Sequence, residues 1–90
     1  MFVLKMPGQF KKDLKRIQNN PKKIEHLKTV LLILQETGTL PEIYKPHKLQ
    51  GDYAGFIECH VESDLLLIWY DQEENIIKLV RLGSHSELFK

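Results

Sequence analysis

Hydrophobic positions recur with two different periods along this chain, and the change of period divides it. Phe2-Val3-Leu4 is a short apolar stretch that predicts a first strand, ended by Pro7-Gly8. Phe10, Leu14 and Ile17 then recur at i, i+4 and i+7, which predicts an amphipathic helix over residues 8–19 with the lysines off its apolar stripe. Asn19-Asn20-Pro21 supplies an N-cap and a proline at a first helical position, and Ile24, Leu27, Val30, Leu31 and Leu34 carry a second helix over residues 22–37. Gly38 is its expected terminator. From Thr39 to Gly55, where Pro41, Pro46, Gly51 and Gly55 fall, neither period holds, so a long loop is expected. Such a loop in a small domain usually has a function.

Three strand-like runs follow, Phe56–Val61, Leu65–Tyr70 and Ile76–Leu82, joined by the polar turns Glu62-Ser63-Asp64 and Asp71–Asn75. Connections this short suit antiparallel hairpins. The middle run is apolar on both faces, as expected of a central strand covered by helices on one side and by something else on the other. Gly83–Lys90 reads as a tail. The expectation is α+β: one domain over residues 1–90, in the order β-α-α-β-β-β, with two helices packed on one face of a small sheet.

Length limits what such a chain can do. Ninety residues, 42% of them apolar, fit one compact domain that buries only about 60% or slightly more of its unfolded surface, so no deep cofactor cavity is expected. No cofactor is called for. A single cysteine, Cys59, excludes an internal disulfide framework and a multi-cysteine zinc site. The longest apolar run, Leu65–Tyr70, is far short of the roughly 20 residues of a membrane span, and no signal-peptide layout opens the chain. These features point to a cytoplasmic protein with no membrane partner.

The net charge of +1 hides a division. Residues 1–48 carry ten Lys/Arg against four Asp/Glu; residues 49–90 carry three against eight. Lys11, Lys12, Lys15, Arg16, Lys22 and Lys23 cluster around one acid, Asp13. Such clustering suits either a polyanion contact or a solvated helix face.

Residues able to move protons gather in the second half: His47, His60, Asp64 and His85, with only His26 elsewhere. Glu58 and His60, two apart on one strand, share a face and could form a proton-transfer pair. Asp64 and Arg81 could reach the same end of the sheet if the strands form a meander. Each residue also has an ordinary use. Glu58 could pair across strands with Lys78, Arg81 could be a rim salt bridge, Asp64 suits a turn, and Cys59 points opposite to Glu58, into the core. Histidines and a carboxylate are zinc ligand types, but no H-x-x-x-H or C-x-x-C pair is present and no metal is expected. Ser84 and Ser86 flank His85 as neighbours that would point apart in an extended tail, so neither serves as a nucleophile. What remains is acid/base chemistry beside a basic surface, and cleavage of RNA by its own 2′-hydroxyl needs only those parts.

Three segments carry a family resemblance: Tyr44-Lys45-Pro46-His47-Lys48-Leu49-Gln50-Gly51, Glu58-Cys59-His60-Val61-Glu62-Ser63-Asp64-Leu65, and Arg81-Leu82-Gly83-Ser84-His85-Ser86-Glu87-Leu88-Phe89. In order and spacing they resemble the YafQ branch of the RelE/ParE superfamily, the ribonuclease toxins of bacterial toxin–antitoxin modules. The resemblance covers nearly the whole chain. It implies a twisted, mostly antiparallel sheet behind the two helices, and cleavage of mRNA, typically on the ribosome. It also implies an antitoxin that wraps the toxin and covers its site, the complex contacting operator DNA through that antitoxin. His47, His60, Asp64 and His85 match the family's catalytic positions, Arg81 and Phe89 its substrate contacts, and Glu58 stands where the family often has aspartate. On that reading His60, oriented by Glu58 or Asp64, is the general base, with His47 able to exchange with it, and His85 is the acid for the leaving 5′-oxygen. Arg81 would hold the scissile phosphate by two parallel hydrogen bonds, Phe89 would stack on a base, and Lys11, Lys12, Lys15 and Arg16 would bind RNA phosphates. A superfamily scaffold can alternatively bind a protein target such as DNA gyrase without catalysis.

Overall fold

Asn20 sets the junction between the two long helices in the computed structural model, which describes residues 1–72 and 74–89. Helix α1 (Gly8–Ile17) stops at Ile17, where the Asn20 amide donates to the Ile17 carbonyl, and Asn20 in extended backbone then accepts from the Lys23 amide at 3.2 Å. Residues 18–20 are needed for this turn and cap, so the first helix is two residues shorter than its period suggests. Pro21 opens α2 (Pro21–Thr37). Gly38, at φ 75°, ends it by donating its amide to Leu34. A Cβ there would lie 2.5 Å from the Phe2 ring, so glycine also gives the first strand room.

A five-stranded sheet lies against these helices, in the order β1-β5-β4-β3-β2. It consists of β1 (Val3–Lys5), β2 (His47–Lys48), β3 (Ile57–Glu62), β4 (Leu65–Gln72) and β5 (Ile76–Gly83). The last three form the expected antiparallel meander, and β1 adds to β5 in parallel, Val3 opposite Ile76. Of the turn expected over Asp71–Asn75, Glu73 lies outside the described residues, as does Lys90 of the tail.

Alternation along β4 explains its apolar run. Leu67 and Trp69 join Cys59, Leu79 and Leu82 against Phe10, Leu27, Val30 and Leu34 of the helices, while Leu66 and Ile68 face the other way. Their cover is Leu88, rimmed by Leu49, Phe56, Val80 and Phe89. The tail supplies Leu88 by forming one further helical turn, α3 (His85–Leu88), closed by a capping box between Ser84 and Glu87. In the long loop, 3₁₀ turns at Glu42–Tyr44 and Gly51–Tyr53 flank β2, and the Leu49 amide donates to Phe56 at 2.9 Å to close the second turn's base. Among the described residues no helix is long and apolar enough to cross a membrane.

Candidate active site

Strand register sets the candidate residues in two rows on the sheet face away from α1 and α2. His47 pairs with Glu58, Glu58 with Ile68, and Ile68 with Arg81. In the next row His60 pairs with Leu66 and Leu66 with Gly83. Two strand spacings separate His60 from Gly83, about 10 Å at the backbone. His85 follows at the start of α3, where its amide donates to Asp64 Oδ1 at 3.2 Å. Asp64 therefore fastens the β3–β4 turn to the segment carrying His85 and does not orient His60.

Glu58, only 4% exposed, lies beneath His47, with Nε2 to Oε1 at 3.2 Å. It reaches neither His60 nor Lys78. Facing residues on neighbouring strands have Cβ atoms about 4.5–5.5 Å apart, closer than two positions along one strand. Lys78 stands instead opposite Tyr70, its ammonium 6.0 Å from the ring. The other His47 nitrogen, Nδ1, is 2.9 Å from the Lys45 carbonyl. A carbonyl only accepts, so Nδ1 is the nitrogen that donates to Lys45, and Nε2 is the one that faces the Glu58 carboxylate. Lys45, at φ 51°, turns that carbonyl toward the ring from the left-handed region, uncommon for a residue with a side chain. His47 is locked at both nitrogens. His60, half-buried, and His85, exposed, make no side-chain hydrogen bond among the described residues. His60 stands 6.5 Å from His47 between ring centroids.

Arg81 is anchored from an unexpected side. Its Nε and Nη2 donate to the two oxygens of Asp13 at 2.9 and 3.4 Å, and the Leu82 amide donates to Asp13 Oδ2 at 2.9 Å. Gln9 adds a bond at 3.2 Å. Burial alone would push the Asp13 carboxyl up, but these bonds, from Arg81 first, together hold it below the ordinary value. The same bond to Asp13 raises Arg81. One edge of the guanidinium is thus occupied, and only the opposite Nη1/Nη2 edge is left to meet a phosphate by two parallel bonds. Arg16 on α1 also faces Asp13, at 3.9 Å, and reaches Glu87 of α3 at 3.6 Å, while Lys11, Lys12 and Lys15 are exposed. The Ser84 amide, donating to Glu87, holds that carboxyl below its usual value.

An aromatic wall closes the β2–β3 side. Phe89 packs on the His85 ring at 5.2 Å and edge-on against Tyr53 at 5.4 Å; Phe56 lies 6.2 Å from Tyr53 and 5.6 Å from Tyr70. Cys59, fully buried on the opposite face, is pushed up to about 12 by burial and by the Glu58 charge and cannot serve as a thiolate. Two participants escaped the sequence reading. Asp13 sits on the apolar stripe of Phe10, Leu14 and Ile17, and an acid on a buried stripe is a readable sign that it has a partner. Tyr53 is placed by loop geometry, which leaves no such sign.

A two-helix cover on one face of a mostly antiparallel sheet, with imidazoles, an anchored arginine and aromatic rings on the other, is the architecture of the RelE-like toxins. Within them the chain belongs to the YafQ family: the family model for "Bacterial toxin of type II toxin-antitoxin system, YafQ" matches residues 3–90. It is 39% identical over 83 residues to the mRNA interferase toxin YafQ of Escherichia coli K12, covering 91% of this chain and 89% of that one. The Escherichia coli DinJ-YafQ toxin-antitoxin complex contains a similar chain, with TM-score 0.84, 34% identity, and coverage of 99% and 98%. So does a metal-bound toxin from Helicobacter pylori, with TM-score 0.85, 41% identity, and coverage of 99% and 100%. In the present chain the adjacent imidazoles His47 and His60 do not offer a ready ligand pair, because both nitrogens of His47 face oxygen atoms.

Proposed function

We propose that this toxin is an endoribonuclease that cleaves mRNA by acid/base catalysis, using the RNA's own 2′-hydroxyl. The observation that carries this reading is the pair of imidazoles without hydrogen-bond partners among the described residues, His60 and His85, set on either side of the row through Leu66. His60 takes the 2′-hydroxyl proton as that oxygen bonds to phosphorus, and His85 gives a proton to the 5′-oxygen as its bond to phosphorus breaks. The products are a 2′,3′-cyclic phosphate and a 5′-hydroxyl. The outer edge of Arg81 neutralises the phosphoryl oxygens, while Glu58 and the Lys45 carbonyl hold the His47 ring beside His60. Phe89, backed by Tyr53, offers a surface for one base. Lys11, Lys12 and Lys15 contact phosphates farther along the strand.

The natural setting is the cytoplasm, with mRNA, on the ribosome, as substrate and an antitoxin covering this face. Purified protein incubated with end-labelled RNA, with and without ribosomes, should give discrete cuts in at least one arm. Intact RNA in both arms would remove the ribonuclease reading and restore the target-binding one.

A further inference from the structure

Beside His60, on the side away from His85, lies a cleft of about 530 Å³ between the 3₁₀ turn and the end of β3. Ile43, Tyr44 and Lys45 form one wall and His60, Glu62 and Ser63 the other. We infer that this cleft is the subsite for the nucleotide adjoining the scissile phosphate, with the Tyr44 ring as its stacking surface and Lys45 as its phosphate contact. The inference rests on the ribonuclease reading of His60.

Several features of the cleft fit a nucleotide. Its volume lies in the range of small-molecule sites, roughly 300–1,000 Å³. Tyr44 is partly buried against the helix-side core, so its ring is held in place before a base arrives. The same ring lines a smaller hollow of about 180 Å³ with His26, Thr29 and Val61, which extends the furrow toward α2. Ile43, 79% exposed, leaves apolar surface at the mouth that no described residue covers. Charge agrees with shape. The acid in the wall, Glu62, is engaged by His26 at 3.0 Å, while the side chain of Lys45 is exposed. Because the Lys45 backbone carbonyl is the group that holds His47, the residue joins the cleft to the row of His47 and Glu58.

Position supplies a further argument. Helix α1, with Lys11, Lys12 and Lys15, packs on β5, whereas the cleft adjoins β3 at the other side of the sheet. Lysines of α1 can serve the strand only beyond Arg81 and His85. On the His60 side, Tyr44 and Lys45 line the cleft itself.

The test uses the full chain and a fluorescent 2′-O-methyl RNA octamer that cannot be cut, with affinity read by anisotropy over a range of salt, beside a cleavage assay on ordinary RNA. Tyr44→Leu, which keeps apolar packing but removes the ring, should weaken binding about tenfold, whereas Tyr44→Phe should stay within about twofold of wild type. Lys45→Gln, at an exposed position, should reduce the slope of log affinity against log salt by about 0.7, as expected for one lost contact to a single strand. Unchanged affinity in Tyr44→Leu together with an unchanged slope in Lys45→Gln overturns the subsite. If wild type cuts RNA in that case, the ribonuclease reading stands without it. If wild type binds the octamer as expected but cuts RNA neither free nor on ribosomes, the ribonuclease reading falls and the cleft is left as an RNA-binding site with no scissile phosphate beside it. A wild type that does not bind the octamer overturns the subsite directly.

Discussion

His85→Ala should lose RNA cleavage by about 10²–10⁴-fold, the usual contribution of a positioned general acid or base, with a thermal midpoint close to that of wild type. The ring is exposed and packs on Phe89, and the bond that fastens this segment runs from the backbone amide to Asp64, which alanine keeps. His60→Gln should fall in the same range, since no hydrogen bond of the fold is lost among the described residues. Rates are to be measured beside thermal melts of the same samples. Wild-type cleavage by His85→Ala, or unfolding of that variant, would show that the acid has been misassigned. Full cleavage by both variants would place the acid and the base on other residues.

Asp13→Ala should be the most destabilising single change at the site, by about 2–4 kcal/mol. Removing the carboxylate leaves the buried Leu82 amide without its acceptor, which costs about 1–3 kcal/mol. A fully buried pair that loses one partner costs about 3–5 kcal/mol, but the Arg81 side chain is 29% exposed and regains water, so its share is smaller. For a chain of this size the thermal midpoint should drop by roughly 10–30 °C. The effect depends on pH in a fixed direction. Because the folded carboxyl lies below its ordinary value of 3.8, its contribution is fully present above that value and is lost as pH falls through the lowered one. Melts of wild type and Asp13→Ala should therefore converge in strong acid and stay apart at neutral pH. Equal midpoints at pH 7 would mean that Asp13 does not anchor Arg81.

Local pattern carried most of the fold. Both helices, their proline start and glycine stop, and the three late strands follow from hydrophobic period and capping chemistry, signals contained within a few neighbouring residues. The two-residue strand β2 is too short to show a period. The final turn did have a readable mark, Ser84 three residues before Glu87, although the segment reads as a tail when period alone is followed. Gathering His47, Glu58, His60, Asp64, Arg81 and His85 at one end of the sheet was legible from the meander and from the family motifs. Their partners were not. Arg81 meets an acid 68 positions earlier, and Glu58 chooses His47 over His60 because of a register set by an irregular loop. Such contacts depend on tertiary packing, and single-strand spacing cannot rank them.

The central claim is that the attacking group belongs to the RNA. Without a protein nucleophile in the proposed step, the 2′-hydroxyl beside the scissile phosphate is the group that attacks, and it needs a base, an acid and charge neutralisation. The direct measurement compares an all-RNA substrate with one carrying a single 2′-deoxy nucleotide at the cleaved position, and identifies the product ends by mass. On ribosomes, if free RNA is not cut, the same substitution is placed in the mRNA. The account predicts a 2′,3′-cyclic phosphate upstream and a 5′-hydroxyl downstream for the first substrate, and no cut at that position in the second. Cleavage of the 2′-deoxy substrate, or a 5′-phosphate on the downstream product, would contradict it and favour hydrolysis by an activated water.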